Sequence, residues 1–111
     1  YLAEQKADQL VLVCSGTQEE AAYEDVLAAG ALCDRLWRNS ASDHVADSAQ
    51  MARNLYRQAQ HDLSGAMEHS QNARRLLANP DLRDDVTVCL QQEAFPLIAR
   101  LDNDGWVRKS S

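Results

Sequence analysis

The chain has 111 residues, enough for one domain with a modest core. Seventeen acidic against 11 basic residues give a net charge of −6, which argues against nucleic acid and against an anionic membrane surface, because both call for a basic stripe. No stretch reaches the roughly 18 apolar residues of a membrane span, and no signal peptide opens the chain.

Tyr1-Leu2-Ala3-Glu4 reads as the inside of an element rather than the start of one. Gln9 to Cys14 is a short apolar run, rich in β-branched residues and closed by Ser15-Gly16-Thr17. That pattern predicts a fully buried strand ending at a glycine turn. From Tyr23 the period changes. Tyr23, Val26, Leu27, Gly30, Cys33 and Trp37 fall at helical spacing, with Glu24, Asp25, Asp34 and Arg38 off the stripe, and Asn39-Ser40 closes the helix. Gly30 costs about 1 kcal/mol relative to alanine inside a helix, so the Ala28-Ala29-Gly30-Ala31 patch implies close packing against a neighbour.

Ser40 and Ser42 are N-cap candidates for a second helix, with Asp43 in its first turn. Val45, Ala49, Ala52, Tyr56 and Ala59 form its apolar stripe. After Gln60-His61-Asp62, a third helical pattern runs through Leu63, Met67, Ser70, Ala73 and Leu77, and Asn79-Pro80 stops it. Asp85 to Leu90 reads as another strand, although so short a run also fits a helix. Leu97 to Leu101, then Asp102-Asn103-Asp104-Gly105, then Trp106-Val107-Arg108 predicts a hairpin, because Asp-Gly supplies the positive φ of a tight turn. The expected class is therefore α/β: strand, helical layer, strand and C-terminal hairpin. So few strands do not complete a central sheet, which points to a larger three-layer α/β/α fold.

Cys14, Cys33 and Cys89 form neither a disulfide framework nor a zinc-type pair, and are expected to be buried reduced thiols of a cytoplasmic protein. His44, His61 and His69 show no metal-ligand spacing. The loop Cys14-Ser15-Gly16-Thr17 lies where open α/β sheets bind ligands. Gly16 permits close backbone approach, Ser15 and Thr17 carry hydroxyls, and unpaired loop amides suit an anion. Equally, it is a strand end with no further role. Glu24-Asp25 offers carboxylates to Mg²⁺, or merely complements the helix dipole.

Taken together, these segments resemble the C-terminal half of the 2-phosphosulfolactate phosphatase family. Its C-x-G-T followed by E-D-x-L-x-A-G-A is similar to Cys14-Ser15-Gly16-Thr17 and to Glu24 through Ala31. Its D-x-A-x-x-A helix is similar to Asp47 through Ala52, and its S-x-H-G-x-x-L segment to Ser70 through Leu76. Its D-V-x-x-C resembles Asp85 to Cys89, and its V-P before the last hairpin resembles Phe95-Pro96. One departure is that Asn72-Ala73 stands where the pattern has His-Gly.

The resemblance implies a Mg²⁺-dependent phosphatase acting on a small anionic phosphorylated substrate, 2-phosphosulfolactate, a step that serves coenzyme M biosynthesis in some organisms. It implies that residues 1–111 are the C-terminal half of one domain, inactive alone, since the family's D-V-x-R-A-T, N-S-P and T-N-G-T motifs are absent here. In that reading Cys14, Ser15, Gly16 and Thr17 line the substrate pocket. Glu24 and Asp25 bind the metal or orient its waters, Asp47 is a third metal candidate, and homo-oligomerisation is possible. The competing expectation is a non-enzymatic α/β interaction domain in which the same residues serve packing.

Overall fold

The computed structural model describes residues 1–4, 7–37 and 44–110. The expected stop at Asn39-Ser40, the off-stripe Arg38 and the cap candidates Ser40, Ser42 and Asp43 lie outside them. A short 3₁₀ turn at Leu2–Glu4 precedes five helices: α1 (Tyr23–Trp37), α2 (Asp47–Ala59), α3 (Leu63–Ala66), α4 (Gln71–Leu77) and α5 (Arg83–Cys89). A 3₁₀ turn at Met67–His69 links α3 to α4, and the strands β1 (Ile98–Leu101) and β2 (Val107–Ser110) follow.

The α1–α2 pair is the organising unit, and its alternation of small and large residues explains why. A Cβ on Gly30 would meet the Ala52 carbonyl oxygen and lie 2.9 Å from Tyr56 Cβ, so the two backbones touch where the side chain is missing. The packing reason expected for this glycine is therefore present. Near the end of α1 the buried Asp34 accepts from Arg53 Nε at 3.0 Å and Arg57 Nε at 2.7 Å. Arg53 also stacks over the Trp37 ring at 4.5 Å. Leu27, nearer the start of α1, packs instead with Ala59, Ala66, Met67, Ala73 and Val86. The pair therefore runs antiparallel, with α1 beginning beside the end of α2.

α2 begins at Asp47 with Ala46 at the N-cap and no side-chain cap bond. The third helical pattern is real but broken. Asp62 caps α3 by accepting from Gly65 N, and Ser70 caps α4 by accepting from Ala73 N. Side-chain oxygens there satisfy orphan backbone amides and restart the helix.

Neither of the two expected single strands forms among the described residues. Residues 9–16 form neither helix nor strand and join no ladder among the described residues, and Leu10, Val11 and Val13 are 50%, 67% and 87% exposed. A strand exists only with a hydrogen-bonded neighbour, and none of the described residues pairs with this run. Asp85 to Leu90 forms most of α5 rather than a strand. Val86 is buried and Leu90 half-buried four residues on, while Val88 stays exposed, which is the spacing of one helix face.

The hairpin is as expected. β1 and β2 pair antiparallel from Ile98↔Ser110 to Leu101↔Val107, and Gly105 takes φ 82° in the turn. The described residues thus combine helices with one small antiparallel sheet. The buried hydrophobic core is mostly alanine, with Leu27, Met67 and Val86 its larger members. The accessible surface is 9106 Å², against about 6100 Å² for a compact 12.4 kDa monomer. Among the described residues no helix is long and apolar enough to cross a membrane.

Candidate functional site

Three segments distant in sequence meet at the start of α1. Glu24 and Asp25 are adjacent, so about 100° of helix separates their side chains and each serves a different neighbour. Asp25 Oδ2 accepts from Gly16 N at 2.9 Å and from Ser15 Oγ at 3.4 Å. Glu24 reaches across to the start of α4. Its Oε2 accepts from Ser70 Oγ at 2.7 Å, and its Oε1 accepts from Asn72 Nδ2 at 2.6 Å. Asn72 Nδ2 also donates to Thr17 Oγ1 at 2.8 Å. The two carboxylates therefore flank the 15–17 loop from either side, and Asn72 closes the circuit back to it.

The loop is held in an uncommon shape. Gly16 has φ 69°, and a Cβ there would run into the Glu20 carbonyl oxygen. Gln18 and Glu19 also have positive φ, at 51° and 66°, a region that non-glycine residues enter rarely and at some cost. Thr17 N donates to Glu20 O at 2.9 Å and Glu20 N to Thr17 O at 3.0 Å, closing the turn. This changes one expectation. The amides of Gly16 and Thr17 are not available to an anion, because Asp25 and Glu20 already take them.

Burial works against ionisation of Glu24, but the hydrogen bonds from Ser70 and Asn72 outweigh it and hold the carboxyl below its ordinary value of 4.5. Both donors favour the charged form. Ser70 is wholly buried and fully engaged, donating to Glu24 while accepting from Ala73 N at 2.9 Å.

The remaining expected residues stand apart. Asp47 lies exposed in the first turn of α2, at the far end of the helix pair from Glu24. Cys14 is exposed and lines a separate groove with Val26, Cys33 and Trp37. Cys89 is also exposed and Cys33 half-buried, so the expectation of three buried thiols fails, although all three are free. They sit on surfaces that no second layer covers here.

Magnesium prefers oxygen donors, uses one or two carboxylates and retains water and substrate oxygens. Glu24, Asp25 and Thr17 supply donors of that kind, with Glu24 held ionised. Among the described residues no three of His, Cys, Asp and Glu converge on one point. An ion held by these oxygens would have to complete its shell with water and substrate.

Sequence reasoning passed over Ser70 and Asn72 as site residues. They lie 46 and 48 positions from Glu24, and no local pattern announces such a contact. The available signal was the similarity of Ser70 through Leu76 to a family segment.

A family model described as 2-phosphosulpholactate phosphatase matches residues 1–104. A probable 2-phosphosulfolactate phosphatase of Pseudothermotoga lettingae is 33% identical over 104 residues, covering 93% of this chain and 44% of that protein. One of the same description from Caldanaerobacter subterraneus subsp. tengcongensis is 31% identical over 111 residues, 99% of this chain and 44% of its own length. Another, from Thermotoga maritima, is 28% identical over 102 residues, 92% of this chain and 43% of its own length. The chain thus spans less than half the length of these relatives. No solved structure matches it.

Proposed function

The chain belongs to the 2-phosphosulpholactate phosphatase family, and from that premise we propose that it supplies the C-terminal half of a Mg²⁺-dependent phosphatase. The substrate class is a phosphate monoester of a small sulfonated hydroxy acid, with 2-phosphosulfolactate, named for the relatives, as the specific expectation. Where the organism makes coenzyme M, the reaction would feed that synthesis. The observation that carries the reading is the convergence of Thr17, Glu24, Ser70 and Asn72 from three segments around one ionised carboxylate.

Phosphoryl transfer needs little covalent help from the protein; positioning and charge neutralisation supply most of the rate. Magnesium would offset the negative charge gathered between carboxylates and phosphate. Glu24, oriented by Ser70 and Asn72, would hold the ion or one of its waters, and Asp25 would do the same while fastening the loop through Gly16 N. Thr17 and Ser15 present hydroxyls, and the positive φ of Gly16 lets the backbone come close to a substrate. Cys14 and Asp47 stay outside this cluster, so neither is given a part in it.

The architecture proposed for the whole is a three-layer α/β/α fold, with the exposed 9–14 run as one of its buried strands. Support comes from the excess surface and from relatives more than twice as long. The interaction-domain alternative has the same exposed apolar residues in its favour but leaves the Glu24 cluster without a role. Three free thiols suit a reducing, cytoplasmic compartment, and uncovered apolar surface suits self-association.

The test is phosphatase turnover of the complete protein with and without Mg²⁺. Glu24→Gln and Asp25→Asn should each remove most of the Mg²⁺-dependent rate, and the 111-residue chain alone should be inactive. Intact Mg²⁺-dependent turnover in both variants would sink the site assignment.

A further inference from the structure

We propose that Asn72 is a positioning residue acting through Thr17: by donating to Thr17 Oγ1, it turns that hydroxyl's own hydrogen outward as a donor to an anionic oxygen held beside Glu24. The inference rests on the phosphate-ester reading above and adds a residue to it.

An amide nitrogen carries two hydrogens, a hydroxyl one hydrogen and two lone pairs, and an ionised carboxylate no hydrogen. The group of Asn72 facing Glu24 Oε1 at 2.6 Å must therefore be its nitrogen, which fixes the amide's orientation. The second hydrogen of that nitrogen points to Thr17 Oγ1 at 2.8 Å. Thr17 is the acceptor in this bond, so its hydrogen is left over and directed away from Asn72.

The neighbouring donors are already committed. The hydrogen of Ser70 goes to Glu24, Gly16 N and Ser15 Oγ turn to Asp25, and Thr17 N turns to Glu20. Thr17 is half-buried rather than sealed, and Ser70 is wholly buried. The Thr17 hydroxyl is therefore the donor of this cluster that a ligand can reach. An aspartate at position 72 would reverse the arrangement, accepting the Thr17 hydrogen and setting a second negative charge against Glu24.

The probe is inorganic phosphate, titrated into the complete protein by calorimetry at saturating Mg²⁺. Thr17→Val should weaken binding roughly tenfold or more, the size of one hydrogen bond to a charged group. Thr17→Ser should restore binding to within about twofold, because it returns the hydroxyl. Asn72→Ala should weaken binding in the wild-type background and clearly less in the Thr17→Val background, where only its bond to Glu24 is left to lose, since residues acting through one contact are not additive. Fully additive losses, or wild-type affinity in Thr17→Val, would overturn the role given to Asn72. If Asn72→Ala fails to fold, the Thr17→Val and Thr17→Ser pair still decides whether the hydroxyl donates. Absence of phosphate binding by the wild type, with and without Mg²⁺, would instead strike the phosphatase reading on which the inference stands.

Discussion

The α1–α2 pair and the two flanks of the chain obey different rules. In the helix pair the central contacts close within the described residues: Gly30 seats on Ala52, and Asp34 ties α1 to Arg53 and Arg57. In the flanks the apolar residues face outward, with Val13 at 87%, Phe95 at 75% and Leu101 at 71% exposed. Helices satisfy their own backbone hydrogen bonds, so a helical pair can be complete in a short sequence. Strands borrow their partners, and an isolated two-stranded hairpin is marginal in water. The Glu24 cluster sits at the border between the two regions, where the loop after the unpaired run meets the first turn of α1.

The largest test of this contrast is Asp34→Ala. It removes the carboxylate from between two arginines, one of them, Arg53, only 16% exposed. Losing one partner of a buried pair costs about 3–5 kcal/mol, and a fall in the midpoint of thermal or urea unfolding would register it. Next comes Gly30→Val, which forces side-chain atoms into the Ala52 backbone. Overpacking of this kind costs about 1–3 kcal/mol, and urea unfolding should show the lower midpoint.

On the flank the same measurement should barely move. Val13→Asp in the 111-residue chain should stay within about 0.5 kcal/mol, as exposed substitutions do. In the complete protein, with this run as a central strand, the same change should be strongly destabilising, because it buries an unpaired charge. Equal tolerance in both proteins would erase the difference between helix pair and flank.

That difference also sets what the sequence reveals. The α1 and α2 stripes, the packing role of Gly30 and the Asp-Gly hairpin depend on near neighbours in the chain and were readable. The 9–14 run has the composition of a buried strand, yet nothing local says whether a partner lies alongside. Asp85 to Leu90 is short enough to fit either period, and the pairing of Val86 with Leu90 on one face decided for a helix. At the site, Glu24 and Asp25 stood out because they are adjacent and open a helix. Ser70 and Asn72 did not, because a contact spanning 46 or 48 residues leaves no periodic trace. The family resemblance had drawn Ser70 through Leu76 alongside the Glu-Asp run, but as sequence similarity and not as proximity.

The smallest expected effect concerns Glu24, where the border between the regions can be titrated in metal-free solution. Burial alone would raise its pKa, but donation from Ser70 and Asn72 lowers it below the ordinary 4.5. The unfolded chain therefore takes up a proton at higher pH than the folded one, and stability rises with pH across that interval. The contribution of Glu24 should be fully present above about pH 4.5 and should fade as pH falls through the lower folded value. Glu24→Gln has no charge to lose there. Its unfolding midpoint should follow acidification less steeply than the wild type between pH 5 and 3, roughly the span bracketing an ordinary carboxyl. Parallel curves would mean that Ser70 and Asn72 do not favour the ionised form. The hydrogen bonds at the junction of loop, α1 and α4 would then fix position without setting charge.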